Sequence, residues 1–330
     1  MKNTIFFAFL GAWMFSCTGD TDEFVWISTT NENRWINIEE VDIYDAADAD
    51  ASLELLPDKK QQHVDGFGAC FNELGWDALN MMEKEMQDSV MSTFFEPGKG
   101  FNFNICRMPI GANDYARDWY SLNETPGDYA MENFSIQRDR TILIPYIRYA
   151  MKYNPDLNIW GSPWCPPEWM KTNNHYACRP DTVNDLPEEG RGAEGQTQFI
   201  MNDKNLSAYA LYFRKYIESY RNEGINVYAV HVQNEPNSCQ NFPSCIWTAS
   251  DLNTFMGEYL GPELEEIYPE VELWYGTIER PYIENIDTVL QDETTRQYID
   301  GLGFQWAGKE AIPEANKKYP EIKMMQTESE

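Results

Sequence analysis

From about residue 63 onward, short apolar runs alternate with longer stretches whose apolar residues recur every three or four positions. The short runs are His63–Cys70, Phe103–Ile110, Leu157–Trp164, Val227–Glu235, Val271–Ile278, Ile299–Trp306 and Ile322–Glu328, and each is predicted to be a strand. The clearest helical pattern is Leu206, Tyr209, Ala210, Phe213, Tyr216, Ile217 and Tyr220, with Asn205 to cap its start and Gly224 to stop it. Trp76–Phe95 and Ser250–Tyr268 also read as helices, and Pro145 marks the start or a kink of another. Strand–helix alternation predicts an α/β fold with a parallel sheet. A (β/α)8 TIM barrel is the leading architecture, with seven βα units in hand, and a doubly wound sheet is the alternative.

The first 60 residues lack this rhythm. Met1 and Lys2 precede an apolar run, Ile5 to Phe15, that is too short to span a bilayer and has the length of a secretory signal core. Ser16-Cys17 at its end is similar to a bacterial lipoprotein signal, in which Cys17 is lipidated; ordinary cleavage near Ser16 is the alternative. The expected boundaries are a signal at 1–17, an acidic linker with one or more strands of a side β-domain at 18–60, and the barrel at 61–330. Trp35 to Ile38 alternates and predicts a strand outside the barrel. The run Asp42, Asp45, Asp48, Asp50 lacks the central Gly and closing Glu of a calcium loop, so it reads as a solvated acidic segment.

Export, membrane-anchored through lipid or else secreted, changes how the cysteines are read. With Cys17 set aside six remain, and the pairs Cys239/Cys245 and Cys165/Cys178 bracket short loops that disulfides can close. Buried free thiols are the other reading. No CxxC pair occurs, so zinc is not indicated.

Composition narrows the chemistry. The net charge of −29 sets aside binding to nucleic acid and polybasic docking to lipid. With 42% hydrophobic residues a sizeable core is available, and 3 His leave little room for a metal centre. Aromatic residues make up 14%, including 11 Trp, which suits a flat neutral ligand such as a sugar ring. Acidic, Trp-rich and His-poor points toward carbohydrate chemistry run by carboxylates, without cofactor.

A barrel carries its site at the C-terminal ends of its strands. The fourth predicted strand ends in Gln233-Asn234-Glu235-Pro236 and the seventh in Gln326-Thr327-Glu328, so two carboxylates face one another across the mouth. Glycoside hydrolysis needs such a pair. Other strand ends read Gly66-Phe67-Gly68-Ala69, Arg107-Met108-Pro109-Ile110 with Asp114, and Ser162-Pro163-Trp164 through Trp169-Met170-Lys171-Thr172. Taken together and in this order, these segments resemble glycoside hydrolase family 30, which includes glucosylceramidases, β-1,6-glucanases and xylanases. The resemblance implies Glu235 as acid/base and Glu328 as nucleophile of a retaining reaction. It implies substrate-holding roles for Arg107, Asp114, Trp164 and Asn234, and places Trp306 in an aromatic stretch of the family. Gln305 stands where the animal enzymes have His. Strict alternation puts Gln233 and Glu235 on one face, so the strand end must bulge or turn if Asn234 and Glu235 both reach substrate. The resemblance also implies an eighth strand, its helix and the rest of a side β-domain beyond residue 330. The substrate expected is a β-linked glucoside or glucan; a surface lipoprotein that only binds glycans is the rival.

Overall fold

The computed structural model describes residues 26–33, 36–38 and 56–328. It divides into residues 1–63 and 64–330. The signal, Cys17, Trp35, the aspartate run and Glu330 lie outside the described residues. In the first unit, β1 (Trp26–Ser28) pairs antiparallel with β2 (Ile36–Ile38), Trp26 opposite Ile38. Asn33 N donates to Thr30 Oγ1 at 3.0 Å in the turn between them.

The second unit is built on six parallel strands: β3 (Ile105–Pro109), β4 (Asn158–Ser162), β5 (Val227–His231), β6 (Glu272–Ile278), β7 (Ile299–Gln305) and β8 (Lys323–Glu328). They lie side by side in chain order, β3-β4-β5-β6-β7-β8. A doubly wound sheet reverses direction at a switch point; this one never doubles back, which is barrel order. The first predicted strand, His63–Cys70, is corrected. It carries only an isolated parallel bridge, Cys70 to Arg107. Its backbone still runs beside β3, with Arg107 N donating to Ala69 O at 3.0 Å and Phe71 N to Arg107 O at 2.9 Å. Gly68 explains the irregularity: a Cβ there would collide with the carbonyl of Ile105, so the two backbones pass closer than a regular ladder allows.

The helices follow the periodicity with instructive departures. Trp76–Phe95 divides into α1 (Glu73–Asn80) and α2 (Lys84–Phe95). Pro145 lies in the first turn of α3 (Leu143–Met151), so it belongs to a start and not a kink. The seven apolar positions of α4 (Asp203–Asn222) are all buried. Its cap is Asn202, whose side chain accepts from Asn205 N at 3.0 Å, and Asn205 itself is buried in the first turn. Gly224, at φ +76°, ends the chain's path out of α4. Ser250–Tyr268 is α5 (Ala249–Phe255), a π-turn (Met256–Leu260) and α6 (Gly261–Ile267). Pro262 lacks an N–H to offer the preceding turn, which widens there.

Inside the sheet, consecutive strands contribute a stack. The His231 ring lies 4.1 Å from Trp160 of β4 and 5.0 Å from Trp274 of β6, centroid to centroid. Burial, then the nearby Arg107 cation, hold His231 neutral by pushing its pKa well below the usual value. The rings form an uncharged floor beneath the strand ends.

Candidate active site

Arg107, the third residue of β3, is the hub above that floor and is 3% exposed. Its Nε and Nη2 donate to Ser162 Oγ at 3.0 and 2.9 Å, Nη2 also to Asn234 Oδ1 at 2.6 Å, and Nη1 to Glu328 Oε2 at 2.7 Å. The guanidinium lies 4.1 Å from the centroid of the Trp164 ring and 5.1 Å from that of Trp160. A planar fork gripping β4, the turn after β5 and β8 at once is a task that Lys cannot perform. Arg107 is thus committed mainly within the protein, and Trp164, buried, gives one face to it.

Two predicted carboxylates flank this hub. Glu328 ends β8 with its side chain 36% exposed. Burial raises its pKa and the Arg107 cation opposes that rise, while Glu235 and Asp114 add to it. Glu235 is 7% exposed. Its Oε1 accepts from Gln305 Nε2 at 3.0 Å and its Oε2 from Gln240 Nε2 at 2.9 Å.

The expected turn is present. β5 stops at His231, and Glu235 takes a left-handed φ of 45°. Asn234 and Glu235 therefore face the same space, and Gln305 Nε2 reaches both, at 3.3 and 3.0 Å. Gln233 points away, donating to Trp164 O at 2.8 Å. The end of β6 fixes this turn: Glu235 N donates to Thr277 O at 3.2 Å, and Thr277 Oγ1 to Asn234 Oδ1 at 3.1 Å.

Asp114 is exposed at the rim. Burial of its carboxyl chiefly raises its pKa, the Arg107 cation lowers it, and the Glu235 charge raises it, so it lies within range of the same charges. Trp306, directly after β7, is 39% exposed. Sequence reasoning missed Ser162, Thr277 and Gln240, and left Gln305 without a role. Gln305 is buried, and its Oε1 accepts from Thr327 Oγ1 at 3.1 Å, so it ties the neighbour of Glu328 to Glu235. A polar residue closing the apolar stretch Gly301–Phe304 was the signal available for it.

The disulfide expectation is corrected. Cys165, Cys178, Cys239 and Cys245 are free thiols. Cys178 Sγ donates to Ser244 O at 3.2 Å, and Cys239 Sγ to Cys178 O at 3.1 Å. Burial pushes the Cys165 thiol up to about 12. Between these residues lies buried Lys171, whose Nζ donates to the carbonyls of His175, Tyr176 and Ser244 at 2.6, 2.9 and 2.7 Å. The loops are thus tied by an ammonium among carbonyls, with Cys178 Sγ 3.8 Å away. Among the described residues no cluster of three metal-ligating side chains occurs, and no helix is long and apolar enough to cross a membrane.

A sequential parallel sheet with two carboxylates at its C-terminal rim, one held by a buried arginine and the other by two glutamine amides, defines a TIM-barrel site of the paired-carboxylate kind. Residues 64–330 match the glycosyl hydrolase family 30 TIM-barrel domain, and the chain belongs to that family. It is 28% identical over 293 residues to the lysosomal acid glucosylceramidase of Mus musculus, covering 84% of this chain and 53% of that protein. It is 27% identical over 227 residues to an endo-1,6-beta-D-glucanase of Neurospora crassa, covering 68% and 44%. The crystal structure of SrfJ from Salmonella typhimurium superposes with a TM-score of 0.68 at 27% identity, covering 80% of this chain and 56% of that one. The chain spans about half the length of the curated relatives it matches.

Proposed function

We propose that this protein is a retaining β-glycoside hydrolase acting on β-glucosides or β-glucans. The observation that carries the reading is the Arg107 fork: one nitrogen holds Glu328 at 2.7 Å while the other holds Asn234, the neighbour of Glu235. Arg107 favours ionised Glu328, as a nucleophile requires. Glu235, tethered by two amides, protonates the leaving oxygen while Glu328 attacks the anomeric carbon; it then takes a proton from water, which releases the sugar. In this reading Asn234 and Asp114 hold sugar hydroxyls and Trp306 stacks on a ring. This chemistry needs no metal or organic cofactor. The relatives named above favour a glucosylceramidase-like glucosidase or an endo-β-1,6-glucanase over a xylanase. Export, with Cys17 as a lipid anchor, belongs to the same reading.

The test is product release from a panel of β-linked glucosides, β-1,6-glucan and xylan, with NMR of the first-formed anomer. Retained β product is expected. Inverted product removes the nucleophile assignment, and tight glycan binding without product identifies a glycan-binding protein instead.

A further inference from the structure

The Glu235 carboxyl meets an amide at each oxygen, and the two amides differ. Gln305, at Oε1, is fully buried and tied in turn to Asn234 and Thr327. Gln240, at Oε2, is half-buried on the loop after β5. Oε1 therefore looks into the protein and Oε2 toward the loop. A leaving oxygen needs an approach from outside, and the Oε2 side offers it. The contact also orients the Gln240 amide: its Nε2 faces the carboxyl, because its oxygen there would meet another acceptor. Among the described residues the Gln240 Oε1 accepts from no group. The backbone beneath it is fixed, since the Gln240 carbonyl accepts from Cys178 N at 3.0 Å and from Arg179 N at 2.8 Å. The surface beside it is hydrophilic: Asn241 Nδ2 donates to Asp181 Oδ2, and Asn184 Nδ2 to Asn241 O, each at 2.9 Å.

We propose that Gln240 is a specificity-determining residue for the aglycone: Glu235 delivers its proton from Oε2, and the oxygen of the adjoining Gln240 amide accepts a hydroxyl of the departing group, so that the aglycone is a second sugar and not an alkyl chain. This deepens, and rests on, the reading of Glu235 as proton donor. In the first step Glu328 bonds to the anomeric carbon, the bond from that carbon to the aglycone oxygen breaks, and the proton passes from Glu235 Oε2 to that oxygen. With Gln240 Nε2 at 2.9 Å from Oε2, the amide lies beside the departing oxygen. A sugar carries hydroxyls a few bonds from its linkage, within reach of such a neighbour. An alkyl chain carries none, and leaves the amide oxygen unpaired as water is displaced from it. The polar surface around Asn241 and Asp181 also offers an alkyl chain no apolar area to cover. Sites that hydrogen-bond a substrate hydroxyl reject the analogue lacking it more strongly than apolar pockets reject an added one.

The experiment compares kcat/KM of the whole chain on two β-glucosides that both release a primary alcohol: a β-1,6-linked glucose disaccharide and octyl β-glucoside. They ask the same of Glu235 and differ in the hydroxyls of the aglycone. Wild type should favour the disaccharide by at least on the order of fivefold. Gln240→Met keeps the length of the side chain and the backbone bonds of the loop while removing the amide. Loss of the Nε2 donor falls on both substrates alike and leaves their ratio unchanged. Loss of Oε1 falls only on the disaccharide, so the preference should drop on the order of fivefold. A merely structural role lowers both rates and keeps the ratio, and that result overturns the proposal. Equal or better use of octyl β-glucoside by wild type overturns it without any variant, which keeps the test open if Gln240→Met does not fold. Turnover of neither glucoside, nor of β-1,6-glucan, overturns the reading of Glu235 as proton donor, and this proposal with it.

Discussion

Replacing Arg107 by Met removes the guanidinium and fills most of the space beneath Trp164. Asn234 Oδ1 retains donors from Thr277 and Gln305, so the turn before Glu235 keeps much of its support. Ser162 and Glu328 lose their partner. For Glu328 the loss is specific: burial already raises its pKa, and the cation that opposes the rise disappears. An arginine beside a carboxylate lowers its pKa by about 1–3 units, each worth about 1.4 kcal/mol. Glu328 is 36% exposed, so solvent screening places the effect near the lower end, about one unit. The acid limb of kcat/KM should therefore move up by about one pH unit, with a loss on the order of tenfold below that limb. An aryl β-glucoside with a good leaving group is the appropriate substrate, because demand on Glu235 is then small. Arg107→Lys restores a charge but not the fork, so it should recover part of the limb and little of the rate. A folded Arg107→Met protein whose acid limb coincides with wild type would refute the claim that Arg107 keeps Glu328 ionised.

The remaining predictions address the reaction, the address and the core. Glu328→Gln should abolish turnover on every glycan while binding persists by calorimetry; Glu235→Gln should retain more activity on activated aryl glucosides than on natural glycans. Wild-type rates from both would move the site elsewhere. Cys17→Ala should shift exported protein from membrane to soluble fractions, and unchanged partitioning leaves only a secretory signal. Asp139, buried under Tyr120 and Tyr220, has its carboxyl raised by burial to about 6. Its stabilising contribution is fully present below about pH 4 and is lost as pH rises through about 6. The melting temperature of wild type should fall across that window by more than that of Asp139→Asn, and parallel curves would count against it.

The fold was legible where burial imposes a period. The apolar runs of β3 to β7 and the apolar stripe of α4 are read at one strand or helix per pattern, because both faces of a parallel strand are covered. The failures sit where backbone chemistry overrides side-chain pattern. His63–Cys70 has the apolar content of a strand, but Gly68 admits a closer approach than a ladder and leaves only a bridge to Arg107. The long pattern from Ser250 to Tyr268 conceals a π-turn, because one extra residue per turn barely disturbs the apolar period. Asn202 and Asn205 are equally good caps as residue types, and only the burial of Asn205 distinguishes them.

The site was legible through its charged residues and opaque in its amides. Carboxylates at strand ends are costly and sparse, so Glu235 and Glu328 stand out without any structure. Glutamines carry no charge and have many uses, and Gln240 and Gln305 acquire meaning only when each is found donating to one oxygen of Glu235. Cysteine spacing misled for a related reason. Spacing along the chain says which thiols are near in sequence, but here Lys171 lies among four loop carbonyls between them. Its ammonium ties the loops that the disulfides were expected to close. One of those loops carries Gln240, whose backbone carbonyl accepts from Cys178 N at 3.0 Å and from Arg179 N at 2.8 Å. Lys171 thus anchors the segment around Tyr176, the backbone two residues on holds Gln240, and the Gln240 amide donates to Glu235 Oε2 at 2.9 Å. The Glu235 carboxyl is held from two sides, by Gln305 at the end of β7 and by this loop through Gln240. Single substitutions in the two supports should therefore combine non-additively, as groups sharing one network do.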